Sequence, residues 1–174
     1  MVIRDATLAD VSPLARLWFD AWQDAHAAIL PEALRRIRTL ENFSERLLAA
    51  LGDVRVAVDS AGATLGFCIV DGDELSQLFL SAAARGTGVA AALVADAETR
   101  MAGSGVGTAW LACAIGNDRA ARFYEKCGWR CQGNMTSRLP VPGGIFELEV
   151  WRYEKMLRPA REGSAVPGAS SPDR

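Results

Sequence analysis

Apolar residues recur at helical spacing near the start of the chain and at strand spacing in its middle. Val2 to Ala6 reads as a short strand. Val11, Leu14, Ala15, Trp18, Trp22 and Ala25 then follow the three-and-four spacing of an amphipathic helix. Asp10 stands where an N-cap belongs, and Pro13 falls in the first turn, where its missing N–H costs nothing. Pro31 breaks this pattern, and a second helix is expected from about Leu40 to Leu51, stopped by Gly52. Val54, Val56 and Val58 then alternate with other residues. Turns at Asp59-Ser60-Ala61-Gly62 and Asp71-Gly72-Asp73 separate this run from Leu65–Val70 and Glu74–Leu80. Residues 54–80 therefore read as an antiparallel meander.

Further on, Val89, Leu93, Val94, Ala97 and Met101 mark one side of a helix that ends in Gly103-Ser104-Gly105. Thr108 to Ala114 has the almost wholly apolar centre of a buried strand. Asn117 caps the next helix, which carries Ala120, Phe123, Tyr124 and Cys127 on one side and stops at Gly128. Two strands, 129–139 and 145–157, close the domain around Pro140-Val141-Pro142-Gly143-Gly144. In the last strand Phe146, Leu148 and Val150 alternate with glutamates, and the alternation slips by one at Trp151 and Tyr153. That slip predicts a bulge or a change of buried face. The order β-α-α-β-β-β-α-β-α-β-β is an α/β (α+β) arrangement, a mixed and largely antiparallel sheet flanked by helices. Residues 1–158 read as one domain, and 159–174, rich in Gly, Ser, Ala and Pro, as a disordered tail.

Composition narrows the partners. The formal net charge is −2 with no block of Lys or Arg, which argues against nucleic acid. No apolar run reaches the roughly 18 residues of a membrane span, and the N-terminal stretch lacks a signal peptide's apolar segment, so the expected location is cytoplasmic. Cys68, Cys113, Cys127 and Cys131 form no CxxC pair and His26 is the single histidine, so no metal site is expected and the cysteines read as small buried residues.

Candidate chemistry sits in the stretch ARGTGVAAAL, Ala84 to Leu93. A strand passes through small residues into a glycine pair and then a helix. The first amides of a helix have no intrahelical acceptor, and with the helix dipole they make an anion site. Glycine lets a phosphate approach the backbone, and Arg85 adds a charged donor. A plain turn with a solvated arginine explains the letters equally well. A P-loop would need Lys-Ser/Thr where Ala90-Ala91 stands. A dinucleotide fingerprint would need three glycines after the first strand of a βαβ unit.

Arg85-Gly86-Thr87-Gly88-Val89-Ala90 resembles the (Q/R)xxGx(G/A) loop of the GCN5-related N-acetyltransferases, the GNAT family. Glu74 to Leu80 is similar to that family's fourth strand. Asn117 to Trp129 is similar to its NxxAxxFYxKxGF segment, with Trp for the final Phe. The resemblance implies acetyl-CoA as donor to a primary amine of a small molecule or peptide, with no metal. It implies that amides of Gly86 to Ala90, Thr87 and Val89 included, hold the pyrophosphate. It further implies that Leu78, Phe79 and Leu80 line the pantetheine arm as an added strand would, that Asn117 and Phe123 meet the arm from the other side, and that the fourth and fifth strands splay apart. A backbone N–H near Leu78 to Leu80 would meet the oxyanion.

The same resemblance assigns Glu74, eleven residues before Arg85, as general base, directly or through water, with a chain of carbonyls and waters as its rival. Six strand steps from Glu74 to Leu80 span roughly 20 Å, a fitting reach from pyrophosphate to reacting end. Tyr124 is implied as general acid on the departing sulfur. Trp22, His26, Phe43 and the segment 140–147 are implied walls of the acceptor pocket; by themselves Trp22 reads first as a core anchor and His26 first as a surface residue at a helix end. A His26 in the pocket could relay a proton near neutral pH. A second copy of the chain is one further partner option. The alternative to an enzyme is a non-catalytic acyl-CoA-binding module in which Glu74 and Tyr124 are idle.

Overall fold

The structure is a computed structural model and describes residues 1–157; the tail expected over 159–174 lies outside the described residues. Seven strands, β1 (Val2–Asp5), β2 (Val54–Val58), β3 (Thr64–Asp71), β4 (Glu74–Leu80), β5 (Thr108–Ala114), β6 (Arg130–Val141) and β7 (Gly144–Met156), form one sheet in the order β1-β2-β3-β4-β5-β7-β6. All neighbours are antiparallel except β4 and β5. Helices α1 (Val11–His26), α2 (Glu32–Ile37) and α3 (Leu40–Ala49) precede β2, α4 (Val89–Gly103) joins β4 to β5, and α5 (Asp118–Lys126) joins β5 to β6. No described helix is long and apolar enough to cross a membrane.

Two apolar layers sandwich the sheet. Trp18, Trp22, Leu34, Phe43 and Leu47 from α1–α3 pack with Val54, Val56, Phe67 and Ile69 on one face. Leu93, Val94, Ala97 and Met101 of α4 pack with Cys68, Leu75, Leu111 and Tyr153 on the other. This is the expected fold class, with one addition. Pro31 not only ends the first helical pattern but heads the short helix α2, which anchors itself by burying Leu34. Six residues with a single buried apolar position carry too little periodicity to stand out in the sequence.

Local chemistry explains the element ends. The Thr39 hydroxyl accepts from the Asn42 amide at the start of α3, and the Asn117 side chain accepts from the Ala120 amide at the start of α5. Asp10 does not cap α1. Its carboxylate turns back to accept from the Thr7 amide and hydroxyl and from both terminal nitrogens of Arg4, all at 2.8 Å. A strong guanidinium partner outcompetes the helix amides there, and it holds the carboxyl well below the usual range.

Of the two features anticipated at the slip near Trp151, β7 itself shows the change of buried face. β7 keeps unbroken register with β5, but its buried side chains change face, from Phe146 and Leu148 toward the α1–α3 layer to Trp151 and Tyr153 toward α4 and α5. A bulge lies opposite, in β6, between Cys131 and Gly133. A further bulge, not foreseen, interrupts β4. Ile69 pairs with Gln77 but Val70 pairs with Leu75, leaving Ser76 as an extra residue. Leu75 and Leu78 consequently share the α4 face, and Glu74 shares the α1 face with Gln77 and Phe79. Two of the four cysteines are buried as expected, but Cys131 is exposed.

Candidate active site

β4 and β5 run parallel but are in register at one position, Glu74 opposite Trp110. Beyond that pair they diverge, so the edge of β4 from Ser76 onward faces a gap instead of a strand. A cavity of about 520 Å³ occupies this gap. Its walls come from β4 (Glu74 to Leu80), from Ala112, Cys113 and Ala114 of β5, from the start of α4 and from α5. Small side chains on β5 leave room where a larger residue would close the gap.

At the wide end, Gly86 and Gly88 adopt φ of +74° and +89°, a region closed to most side chains. Open space surrounds both α-carbons. Gly88 is the residue before α4, and the first amide turned back onto the helix is that of Ala92, to the Gly88 carbonyl at 3.1 Å. The amides of Val89, Ala90 and Ala91 ahead of it are therefore the free donors of a helix start, whereas that of Thr87 donates to the Ala84 carbonyl at 3.4 Å. Gly86, Gly88, Ala90 and Arg85 line the cavity. The side chains of Thr87 and Val89 do not. The Thr87 hydroxyl donates to the Ala84 carbonyl at 2.6 Å, and Val89 is buried in the core. Val89 can offer only its backbone, and both donors of Thr87 are turned to the Ala84 carbonyl.

Arg85 is not solvated alone. It pairs with Asp24 of α1 at 2.9 Å, and Arg119 at the start of α5 reaches the same carboxylate oxygen at 3.1 Å. Arg119, then Arg85, hold the Asp24 carboxyl below its ordinary range. One carboxylate thus gathers two guanidiniums beside the helix start.

Asn117, Phe123 and Tyr124 line the α5 side. The Asn117 oxygen is spent on the helix cap, which leaves its amide N–H groups for the cavity. Burial, with the thiols of Cys113, Cys127 and Cys68 nearby, pushes the Tyr124 phenol well above its usual range, so it stays protonated at neutral pH.

At the narrow end, Glu74 is half-buried. Burial first, then the like charges of Asp71 and Asp73, push its carboxyl up to about 7, with Arg152 opposing. Trp22 and His26 line the same cavity from α1. The His26 Nδ1 lies 3.1 Å from the Trp22 carbonyl oxygen, which assigns the proton to Nδ1 and leaves Nε2 as an acceptor. Burial, then the charge of Arg119, pulls His26 down to about 4. The ring is therefore neutral at physiological pH, contrary to the expected titration near neutrality.

Two expected walls are elsewhere. Phe43 has no exposed surface and is sealed in the core, its ring centroid 4.7 Å from that of Trp18. Its position on the inner stripe of α3 turns it to the core. The closing hairpin contributes Ser137, Leu139, Leu148 and Val150, not residues 140–147, because its turn projects past the cavity. Among the lining residues that the sequence did not single out are Arg38 and Arg46. Arg46 stands three residues after Phe43 and one before Leu47, beside the buried stripe of α3, and a charged residue so placed was the available signal.

The sequence profile of the acetyltransferase (GNAT) family matches residues 14–129. Uncharacterised N-acetyltransferases of Mycobacterium bovis and Mycobacterium tuberculosis are each 35% identical over 120 residues, covering 64% of this chain and 77% of theirs. The crystal structure of a GCN5-related N-acetyltransferase from Rhodopseudomonas palustris superposes with a TM-score of 0.71 at 20% identity, over 90% of this chain and 95% of that one. That of a phosphinothricin acetyltransferase from Sinorhizobium meliloti in complex with acetyl-CoA does so with a TM-score of 0.66 at 17% identity, over 96% and 92%.

Proposed function

The chain belongs to the GNAT acetyltransferase family, and on that premise we propose that it transfers an acetyl group from acetyl-CoA to a primary amine. The observation that carries this reading is the gap between β4 and β5. It runs from free amides at the head of α4 to a carboxyl with a raised pKa at the single Glu74–Trp110 pair. A thioester donor supplies an activated acyl carbon: starting from the ammonium form of the acceptor, two protons leave the nitrogen, a C–N bond forms, the C–S bond breaks and a thiolate departs.

The residues fit such a donor. The amides of Gly86, Gly88, Val89 and Ala90 and the guanidiniums of Arg85 and Arg119 suit a pyrophosphate. The unpaired edge of β4 at Leu78, Phe79 and Leu80 offers backbone groups to an amide-bearing arm, as a neighbouring strand would. A backbone N–H on that edge would meet the oxyanion. Asn117 offers amide N–H groups from the facing wall, and Phe123 an apolar contact.

Glu74 takes one of the two protons, and the other passes to solvent. A free alkyl ammonium has a pKa of about 10.4, so a nearby acceptor is needed, and a carboxyl near 7 is well matched to neutral pH. Tyr124, held protonated, donates to the departing sulfur. His26, neutral with Nε2 free, and Trp22 form the acceptor wall. Residues 1–158 act as one unit in this scheme.

A screen of amines with free CoA as readout, run beside calorimetry with acetyl-CoA, tests the reading. Amine-dependent release of CoA is expected. Tight binding of acetyl-CoA with no transfer to any amine would instead identify an acyl-CoA-binding module, and no binding at about millimolar concentration would remove both.

A further inference from the structure

Two arginines face the acceptor half of the cavity with no carboxylate to neutralise them. Arg38, between α2 and α3, is 3% exposed, and Arg46 lies on α3; both line the cavity beside Trp22 and Leu34. Arg38 donates from Nη1 to the Asn42 side-chain oxygen at 3.0 Å. Arg46 stacks its guanidinium over Trp18, with Cζ 4.4 Å from the ring centroid. Neither contact carries a negative charge. Among the described residues, ion pairs engage Arg4, Arg36, Arg55, Arg85, Arg119, Arg138 and Arg152, but neither of these two. Glu74, the acid on the same cavity, answers to Asp71, Asp73 and Arg152.

Burying an unpaired guanidinium is costly, and burying two within each other's field costs more. Both effects are felt. Burial lowers the pKa of each, and Arg46, under the added charge of Arg38, falls to about 9 and so stays cationic at neutral pH. An apolar pair of similar size would suit the fold better. The planar guanidinium fork matches a carboxylate or phosphonate, and an anion between the two groups relieves their repulsion as well as their desolvation.

We propose that Arg38 and Arg46 bind an anionic group of the acceptor, so that the amine acetylated here belongs to a small molecule bearing a carboxylate or phosphonate. The acetylation clause rests on the function proposed above; the anion site does not. Such an acceptor is held by its anion toward α3 with its amine left for Glu74. A polyamine meets like charge at the same place and is disfavoured.

The test uses the full chain and a panel of probes: the twenty amino acids and 2-aminoethylphosphonate, the methyl ester or amide of each acid, and spermidine and tyramine. Binding is measured by calorimetry with and without CoA, and acetyl transfer is followed in parallel. At least one acid is expected to bind about tenfold or more tighter than its own ester or amide. Arg46→Met and Arg38→Met should erase that difference. Arg46→Lys, which keeps the charge and guards against a folding artefact, should retain part of it. Esters, amides or polyamines binding as tightly as the acids would overturn the proposal. So would no binding of any acid at about 10 mM. Acid binding without acetyl-CoA binding would keep the anion site and remove the acetyltransferase reading, while transfer to neutral amines alone would do the reverse.

Discussion

Trp110 holds Asp73 twice: its backbone N–H donates to the Asp73 carbonyl and its indole N–H to the Asp73 carboxylate, each at 3.0 Å. This clasp lies at the closed end of the gap, one residue before Glu74. It fixes a negative charge beside the carboxyl proposed as base. The joint that closes the sheet and the environment that tunes Glu74 are thus one arrangement.

Glu74→Gln should lower kcat by about 10²- to 10⁴-fold, the usual weight of general base catalysis. In wild type, log kcat/KM should rise with pH through about 7 and then level, because the ionised form is the active one. A variant that keeps wild-type turnover would transfer the base role to a water chain.

Asp71→Asn removes the like charge that acts more strongly on Glu74. The midpoint of the pH–rate profile should move to lower pH. An unshifted midpoint would mean that the limb reports another group.

Stability should carry two opposing pH dependences from the same cavity. The Glu74 pKa is raised in the fold, from the ordinary 4.5 to about 7, so its contribution is present below 4.5 and is lost as pH rises through about 7. The His26 pKa is depressed, from 6.5 to about 4, so its contribution is present above 6.5 and is lost as pH falls through about 4. The two windows overlap and partly cancel. Glu74→Gln should therefore raise Tm at pH 8 and leave it nearly unchanged at pH 4, and His26→Gln should flatten the acid-side decline of Tm. Thermal melts from pH 4 to 8 read both.

Tyr124→Phe should slow turnover by about tenfold, less than a typical acid–base deletion, because a thiol of pKa about 8.5 is already a fair leaving group. Wild-type kcat in that variant would leave Tyr124 a packing residue only.

Asp24→Asn removes the carboxylate shared by Arg85 and Arg119. Both cations are then free for a phosphate, and a like charge near it is gone. CoA should bind about two- to fivefold tighter at low salt, with the gain fading as ionic strength rises. Calorimetry at two salt concentrations measures it.

Elements with strong periodicity and distinctive letters were legible in the sequence: α1, the meander, the glycine loop and the Asn117–Tyr124 helix. What escaped depends on contacts made across the fold. Ser76 looks like any strand residue, and only its unmatched place opposite β3 makes it a bulge. Arg38 carries no local mark in the sequence and Arg46 only its place beside the buried stripe of α3; the cavity in front of them is made by the fold. The depressed pKa of His26 comes from its burial at the end of α1, which the helical pattern alone does not report. Phe43 was misplaced because an aromatic on a pocket-forming helix can point to the core as easily as to the ligand.

The single paired position between β4 and β5 also makes this sheet two leaves joined at a corner. The leaf of β1 to β4 and the leaf of β5 to β7 are each tied internally by full antiparallel ladders. Between them, one ladder position and the Asp73–Trp110 clasp bear the backbone load. Pulled apart, the molecule should tear along this seam before either leaf unravels, and a molecule that bridges the seam would act as a mechanical splint.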